Sequence, residues 1–193
     1  MKSSTLAVAG CLLLGLPASA EIVSSVDPDA LPAGKQTRLE LYLTAEDAGA
    51  ALAADPGIVF VDARDPIEVA FVGHPEPIDA IVPFQTATLD FDAGSGEYRM
   101  APNPGFVAQV DALMAREGRG RDDPVFLICR SGNRSAEAAD ALAAAGYTNA
   151  WNLVEGFEGD RDPSGKRTLD GWRNAGLPWS YALTPEQAWP RAE

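Results

Sequence analysis

The chain has 193 residues, of which 46% are hydrophobic, and this is enough for one domain with a substantial core. Its net charge of −13 argues against binding to nucleic acids or to anionic membrane surfaces, because both attract basic proteins. The chain contains one histidine and two cysteines, and one of those cysteines lies in the leader predicted below. These residues cannot supply a closed zinc site, so we predict neither a metal nor a cofactor.

Residues 1–20 have the order of a secretory signal peptide. Lys2 is basic, residues 6–16 are apolar, and Ala18-Ser19-Ala20 forms a small-residue cleavage site. This order predicts export, a periplasmic location in a bacterium, and cleavage after Ala20, which N-terminal sequencing of the exported protein would test. The alternative is a lipoprotein acylated at Cys11. No later stretch is apolar over the length that a bilayer requires, so we predict no membrane span.

An alternation of strands and helices is predicted from residue 37 onwards. Residues 21–43 form an extended lead-in with a strand over 37–42, and Thr44 begins a capping box before a helix that runs through 48–54. The apolar run at 58–61 predicts a buried strand that ends at Asp62. This alternation predicts an α/β fold in which helices flank both faces of a central parallel sheet.

The middle of the chain combines turn-forming residues with a helical pattern. Residues 86–104 are rich in glycine and proline, which predicts an inserted surface loop. Apolar residues then recur at helical spacing and predict a core-facing helix, namely Phe106, Val107, Val110, Leu113 and Met114. His74 is the only histidine, and no neighbouring residue type orients it as a general base. We therefore predict that His74 is a turn or packing residue.

The candidate catalytic residues lie between a predicted strand at Val125–Ile128 and a predicted helix at 135–145. The intervening loop is Cys129-Arg130-Ser131-Gly132-Asn133-Arg134. Backbone N–H groups of such a loop, together with the N-terminus of the following helix, stabilise an anion, and the two arginines add positive charge. After cleavage of the leader, Cys129 is the only cysteine, so it cannot form an intramolecular disulfide. We predict a reactive thiolate; a buried structural cysteine beside an ordinary turn is the alternative.

The remainder of the chain contains a last strand within 147–157 and a hydrophilic insertion at 158–169. The insertion follows the sheet edge that carries Cys129, so it can form part of the rim of a pocket there. Three tryptophans come next, and we predict that they pack on the sheet rather than form a binding platform: Trp172, Trp179 and Trp189. Residues 183–193 are predicted to form a C-terminal tail.

In this setting, the loop resembles the active-site loop of the rhodanese family of sulfurtransferases. Related phosphatases have a histidine before the cysteine and five residues before the arginine. Here Ile128 precedes Cys129, and only four residues separate it from Arg134. The strand end at 61–68 and the segment 147–157 resemble two further signatures of the family. The resemblance predicts a rhodanese-like domain over 44–182, with insertions at about 86–104 and 158–169.

The resemblance implies a mechanism as well as a fold. Cys129 would take the outer sulfur of an anionic donor such as thiosulfate and pass it, as a persulfide, to a thiol, cyanide or protein acceptor. The residues implied in donor binding are Arg130, Ser131, Gly132, Asn133, Arg134 and Ser135, and those implied in bracing the loop are Asp62 and Arg64. Two other hypotheses remain open. One is a phosphatase or arsenate reductase on the same fold; the other is a binding module or sulfur carrier that acts only with a protein partner.

Overall fold

A computed structural model describes residues 21–190, so the predicted signal peptide and the last residues of the predicted tail lie outside the described part. A five-stranded sheet forms the centre of the fold. All neighbouring strands in it are parallel. The spatial order of the strands is β1 (Tyr42–Leu43), β8 (Ala150–Leu153), β7 (Val125–Ile128), β2 (Val59–Asp62) and β4 (Ala80–Ile81). Among the described residues, no helix has the length and apolar character needed to cross a membrane.

Four α-helices connect and cover these strands: α1 (Ala45–Ala54), α2 (Pro66–Val72), α3 (Phe106–Arg116) and α4 (Asn133–Ala144). The side chain of Thr44 caps α1 by accepting the N–H of Asp47, as the capping box predicted. Two 3-10 helices in the lead-in, Pro28–Ala30 and Ala33–Lys35, precede β1. The prediction of a strand over 37–42 is wrong for most of its length: only Tyr42 lies in β1, and residues 38–39 form a turn.

Strand β7 is apolar throughout because it contributes to a core on each face of the sheet. Val125 and Leu127 belong to the core that includes α3 and α4 residues, whereas Phe126 and Ile128 belong to the core that includes α1 and α2 residues. Alternate side chains of a strand point to opposite faces, so a strand covered on both sides exposes neither set of side chains to water. The predicted α/β architecture, with helices on both faces, is therefore confirmed.

The prediction of a loop over 86–104 is wrong for most of its length. Residues 85–102 form an antiparallel hairpin of β5 (Gln85–Asp92) and β6 (Glu97–Pro102). The glycines lie in the short turn between the strands, where Asp92 Oδ1 accepts the N–H of Gly94 at 2.8 Å. Glycine content marked the turn correctly, but the flanking threonine and aromatic residues favour strands. Within residues 21–190, this hairpin forms a two-stranded sheet of its own.

The C-terminal segment packs on the face that carries α1 and α2. The ring of Trp172 is buried 5.4 Å from that of Phe60, and Trp179 and Trp189 contact the same core, as predicted. A two-residue strand β3 (His74–Pro75) pairs with β9 (Trp179–Ser180). His74 is buried there, with its ring nitrogens 2.8 and 3.1 Å from the carbonyl oxygens of Pro75 and Ala182, which confirms a packing role.

Candidate active site

The Cys129 sulfur lies in a cradle of hydrogen-bond donors. Cys129 follows β7 directly and is 1% exposed, and Gly132 turns the chain into α4 with a φ of 93°. The N–H of Gly132 lies 3.2 Å from the sulfur, and the Ser135 hydroxyl lies 3.3 Å from it. The first N–H groups of α4 have no partner within the helix and carry its partial positive charge. These groups stabilise negative charge on the sulfur or on an atom bound to it.

Asn152 orients the Ser135 hydroxyl from below the loop. Its Nδ2 donates to the carbonyl of Lys35 at 3.0 Å, so its Oδ1 is left to accept from Ser135, at 2.7 Å. A hydroxyl carries a single hydrogen, and Asn152 therefore competes with the sulfur of Cys129 for it. Sequence reasoning missed Asn152. The available signal was a polar residue inside the otherwise apolar strand β8.

The segment after β8 holds the loop from behind. The carbonyls of Cys129 and Arg130 accept the N–H groups of Phe157, at 2.8 Å, and Glu158, at 3.0 Å. A Cβ added to Gly132 would lie 2.1 Å from the carbonyl oxygen of Val154. Because the loop carbonyls are engaged on this side, its N–H groups are free to face the opposite side.

Asp62 and Arg64 form a buried ion pair behind this segment, and both side chains are fully buried. Arg64 Nε lies 2.9 Å from one carboxylate oxygen of Asp62, and a terminal nitrogen lies 2.5 Å from the other. The guanidinium also stacks on Phe157, 4.3 Å from the ring centre. The backbone N–H of Phe157 donates to the Cys129 carbonyl. The Asp62–Arg64 pair therefore supports the cysteine loop through Phe157 and does not itself contact the sulfur in the hydrogen bonds described.

Each arginine of the loop contacts a carboxylate that sequence reasoning did not identify. Arg134 donates to both carboxylate oxygens of Glu68, at 2.5 and 2.7 Å, and the Nε of Arg130 donates to Glu158 at 2.5 Å. Burial acts to raise the pKa of Glu68, but the hydrogen bonds and charge of Arg134 outweigh it, and the pKa is lowered. Glu68 also accepts the N–H of Asp65 in the capping box of α2, a pattern visible in the sequence.

An open cavity of about 550 Å³ lies over the sulfur. Cys129, Arg130, Ser131, Asn133 and Arg134 form its floor, whereas Gly132 and Ser135 are buried beneath them. The rest of the wall comes from Glu68, from the hairpin (Glu97, Tyr98 and Met100) and from the insertion (Arg161 and Arg167). The structure thus brings the predicted loop residues together, and the insertion at 158–169 does form part of the pocket rim.

Comparison with known proteins identifies the family. A family model described as a rhodanese-like domain matches residues 44–161. The chain belongs to the rhodanese-like family. The chain is also similar in fold to the crystal structure of Rv0390 from M. tuberculosis, with a TM-score of 0.57 and 35% identity, over 73% of this chain and 97% of that one.

Curated relatives match over shorter stretches. An uncharacterized protein, RP600, from Rickettsia prowazekii is 40% identical over 60 residues, which are 31% of this chain and 44% of the relative. The senescence-associated protein DIN1 of Raphanus sativus is 32% identical over 105 residues, which are 54% of this rhodanese-like chain and 49% of DIN1. The chain therefore spans less than half the length of these curated relatives.

Proposed function

We propose that this rhodanese-like protein is a sulfurtransferase that carries sulfur as a persulfide on Cys129. The observation that carries the proposal is the cradle around the Cys129 sulfur, in which the Gly132 N–H and the Ser135 hydroxyl lie within 3.3 Å of it at the N-terminus of α4. Hydrogen-bond donors placed in this way stabilise the negative charge that the attacking sulfur shares with the anionic persulfide that replaces it.

In the first step the Cys129 thiolate attacks the outer sulfur of thiosulfate. A sulfur–sulfur bond forms to Cys129, the sulfur–sulfur bond of the donor breaks, and sulfite leaves with the bonding electron pair. The charge is conserved, because a thiolate and a dianion become a persulfide anion and a dianion. The loop N–H groups stabilise the negative charge that develops on the transferred sulfur, as in an oxyanion hole.

In the second step an acceptor attacks the outer sulfur of the persulfide. With cyanide the new bond is carbon–sulfur, thiocyanate leaves, and the Cys129 thiolate returns with its electron pair. Neither sulfite nor the Cys129 thiolate needs a proton in order to leave. A general acid is therefore unnecessary. This is compatible with the role of His74, the only histidine of the sequence, as a packing residue.

The test is intact-mass measurement of the purified protein before and after incubation with thiosulfate, and again after cyanide. We expect thiosulfate to add one sulfur atom and cyanide to remove it as thiocyanate. Cys129→Ser should abolish both changes, because the alkoxide of serine is not available at neutral pH. Its circular dichroism spectrum and unfolding midpoint should match those of the wild type, since serine fits the same space.

The same samples separate the other hypotheses. Hydrolysis of an aryl phosphate by the wild type, without any gain of sulfur, would assign phosphatase chemistry and overturn the proposal. Neither activity, in protein whose Cys129 is reduced and reacts with a small alkylating reagent, would instead favour a binding module that needs a protein partner.

A further inference from the structure

Residues 161–168 of the insertion form a compact turn whose side-chain hydrogen bonds centre on Asp162. Asp162 accepts the N–H groups of Ser164 and Lys166, at 2.8 and 3.1 Å, and the hydroxyl of Thr168 at 2.7 Å. The side-chain hydrogen bonds of Ser164 and Thr168 lower the pKa of Asp162 to about 2, so it holds the turn as an anion at neutral pH. Arg161 and Arg167 pair across the turn in an antiparallel bridge. Their backbones are therefore fixed side by side.

Arg167 is an arginine of the cavity wall whose charge no contacting carboxylate balances. Over residues 21–190, no carboxylate lies within 4.0 Å of its nitrogens, whereas Arg130 and Arg134 each contact one. One terminal nitrogen donates to the carbonyl of Gly159 at 2.5 Å, and the Nε is buried without a hydrogen-bond partner in the same part of the chain. Burial, and then the charges of Arg130 and Arg161, lower the pKa of Arg167.

Support of the turn does not account for this arrangement. The bond to Gly159 uses one of the five N–H groups of a guanidinium, and a neutral donor such as an amide would serve equally well. Arg161 lies 3.6 Å from Glu97, but both side chains are more than half exposed, so this pair is weak. Two adjacent arginines beside Arg130 repel one another, and an anion bound between them removes that repulsion.

We propose that Arg167, with Arg161 beside it, binds the anionic end of the sulfur donor, such as the sulfonate of thiosulfate. This inference rests on the proposed sulfurtransferase function and extends it to donor selection. The loop arginines already contact Glu68 and Glu158, whereas Arg167 feels the charges of Glu158 and Asp160 but contacts no carboxylate within residues 21–190, so its guanidinium is left to contact an anion. A local cation is needed because the whole chain, at −13, repels anions.

The first experiment compares two reagents that differ in charge at the same nucleophile. We would measure the alkylation rates of Cys129 by anionic iodoacetate and by neutral iodoacetamide, neither of which requires sulfur transfer. Arg167→Gln should lower the iodoacetate-to-iodoacetamide rate ratio by about tenfold, the effect of one lost charge-assisted contact. Arg167→Lys should retain most of the ratio. Lys166→Gln, which removes the same charge from the same turn outside the cavity lining, should leave it unchanged.

The second experiment measures thiosulfate binding to Cys129→Ser by calorimetry, so that no reaction occurs. Adding Arg167→Gln should weaken binding by about tenfold, and adding Lys166→Gln should not change it. Equal affinities in the two double variants would overturn the inference, whatever the alkylation rates. If the wild type transfers no sulfur but Arg167→Gln still reduces the rate ratio and the affinity, the anion site stands and the proposed sulfurtransferase function fails.

Discussion

The cysteine loop at 129–135 and the insertion at 158–169 face the same cavity but are stabilised in different ways. The loop is held by elements distant in sequence: Asn152 from β8, Glu68 from α2, and the backbone of 157–159. The outer turn of the insertion, residues 162–168, is held mainly by Asp162, one of its own residues. We conclude that changes in the loop disturb its contacts with the sheet, whereas changes at 163–166 of the insertion leave the contacts of Glu158 and Gly159 with the loop in place.

The largest expected effect of a single change behind the loop comes from Arg64. Arg64→Ala leaves the carboxylate of Asp62 buried without its partner, which typically costs about 3–5 kcal/mol in the free energy of unfolding. Arg99 pairs with Asp90 and Asp92 on the exposed hairpin, and Arg99→Ala should cost less than about 1 kcal/mol. Urea unfolding of both variants measures the difference. Equal losses would show that the buried pair does not stabilise the region behind the loop.

The second comparison is between alanine substitutions at one glycine of the loop and one glycine of the insertion. Gly132 and Gly165 both have positive φ, of 93° and 84°. An alanine Cβ at Gly165 would meet nothing within 4 Å, so Gly165→Ala should cost only the backbone strain of about 1–2 kcal/mol. At Gly132 the clash with Val154 adds to that strain, for a total of about 2–4 kcal/mol.

The two glycine variants should also differ in sulfur loading. Gly132→Ala moves the N–H that points at the Cys129 sulfur, so sulfur uptake from thiosulfate should fall at least as steeply as stability. Gly165→Ala should load at close to the wild-type rate. Denaturant unfolding and intact-mass kinetics measure the two properties. A Gly132→Ala protein with normal loading would contradict the cradle as the source of reactivity.

The smallest of the three effects is pH-dependent and involves Glu68. Removal of its charge by Glu68→Gln leaves Arg134 with a weaker partner, and we expect a loss of about 1–3 kcal/mol at neutral pH. The folded-state pKa of Glu68 lies below its ordinary value of 4.5, so its contribution is present above that pH. As the pH falls below 4.5, Glu68 becomes protonated in the wild type. The free energy of unfolding of the wild type should then converge on that of Glu68→Gln.

Glu97 is the matched control for this pH dependence. It lines the same cavity, from the exposed hairpin, and its contact with Arg161 is a loose 3.6 Å. Glu97→Gln should therefore shift the stability by less than about 1 kcal/mol at any pH. Parallel stability curves for the wild type and Glu68→Gln between pH 3 and pH 7 would show that the Arg134 contact does not lower the pKa of Glu68.

Local patterns were sufficient to predict the α/β fold and the position of Cys129 between a strand and a helix. A buried strand is an apolar run, and the loop after β7 ends in an alanine-rich helix, so neither inference needed distant residues. The hairpin at 85–102 was missed because its glycines and prolines are turn signals, and these outweighed the strand-forming residues between them. Asn152 is one of the four buried residues of β8. Its orientation toward Ser135 depends on its hydrogen bond to the Lys35 carbonyl in the lead-in, which the local pattern of β8 does not show.

What the sequence by itself determined is the position of Cys129, its loop and the helix behind it, because these residues are consecutive. Only the tertiary structure decided which groups surround them. Arg134 and Glu68 are 66 positions apart, and Arg130 and Glu158 are 28 apart. Such pairs form because parallel strands bring their carboxyl ends to one edge of the sheet, and composition does not specify the order of those strands. The charge balance at Cys129 is a consequence of that order, as is the position of Arg167, which contacts no carboxylate within the described residues.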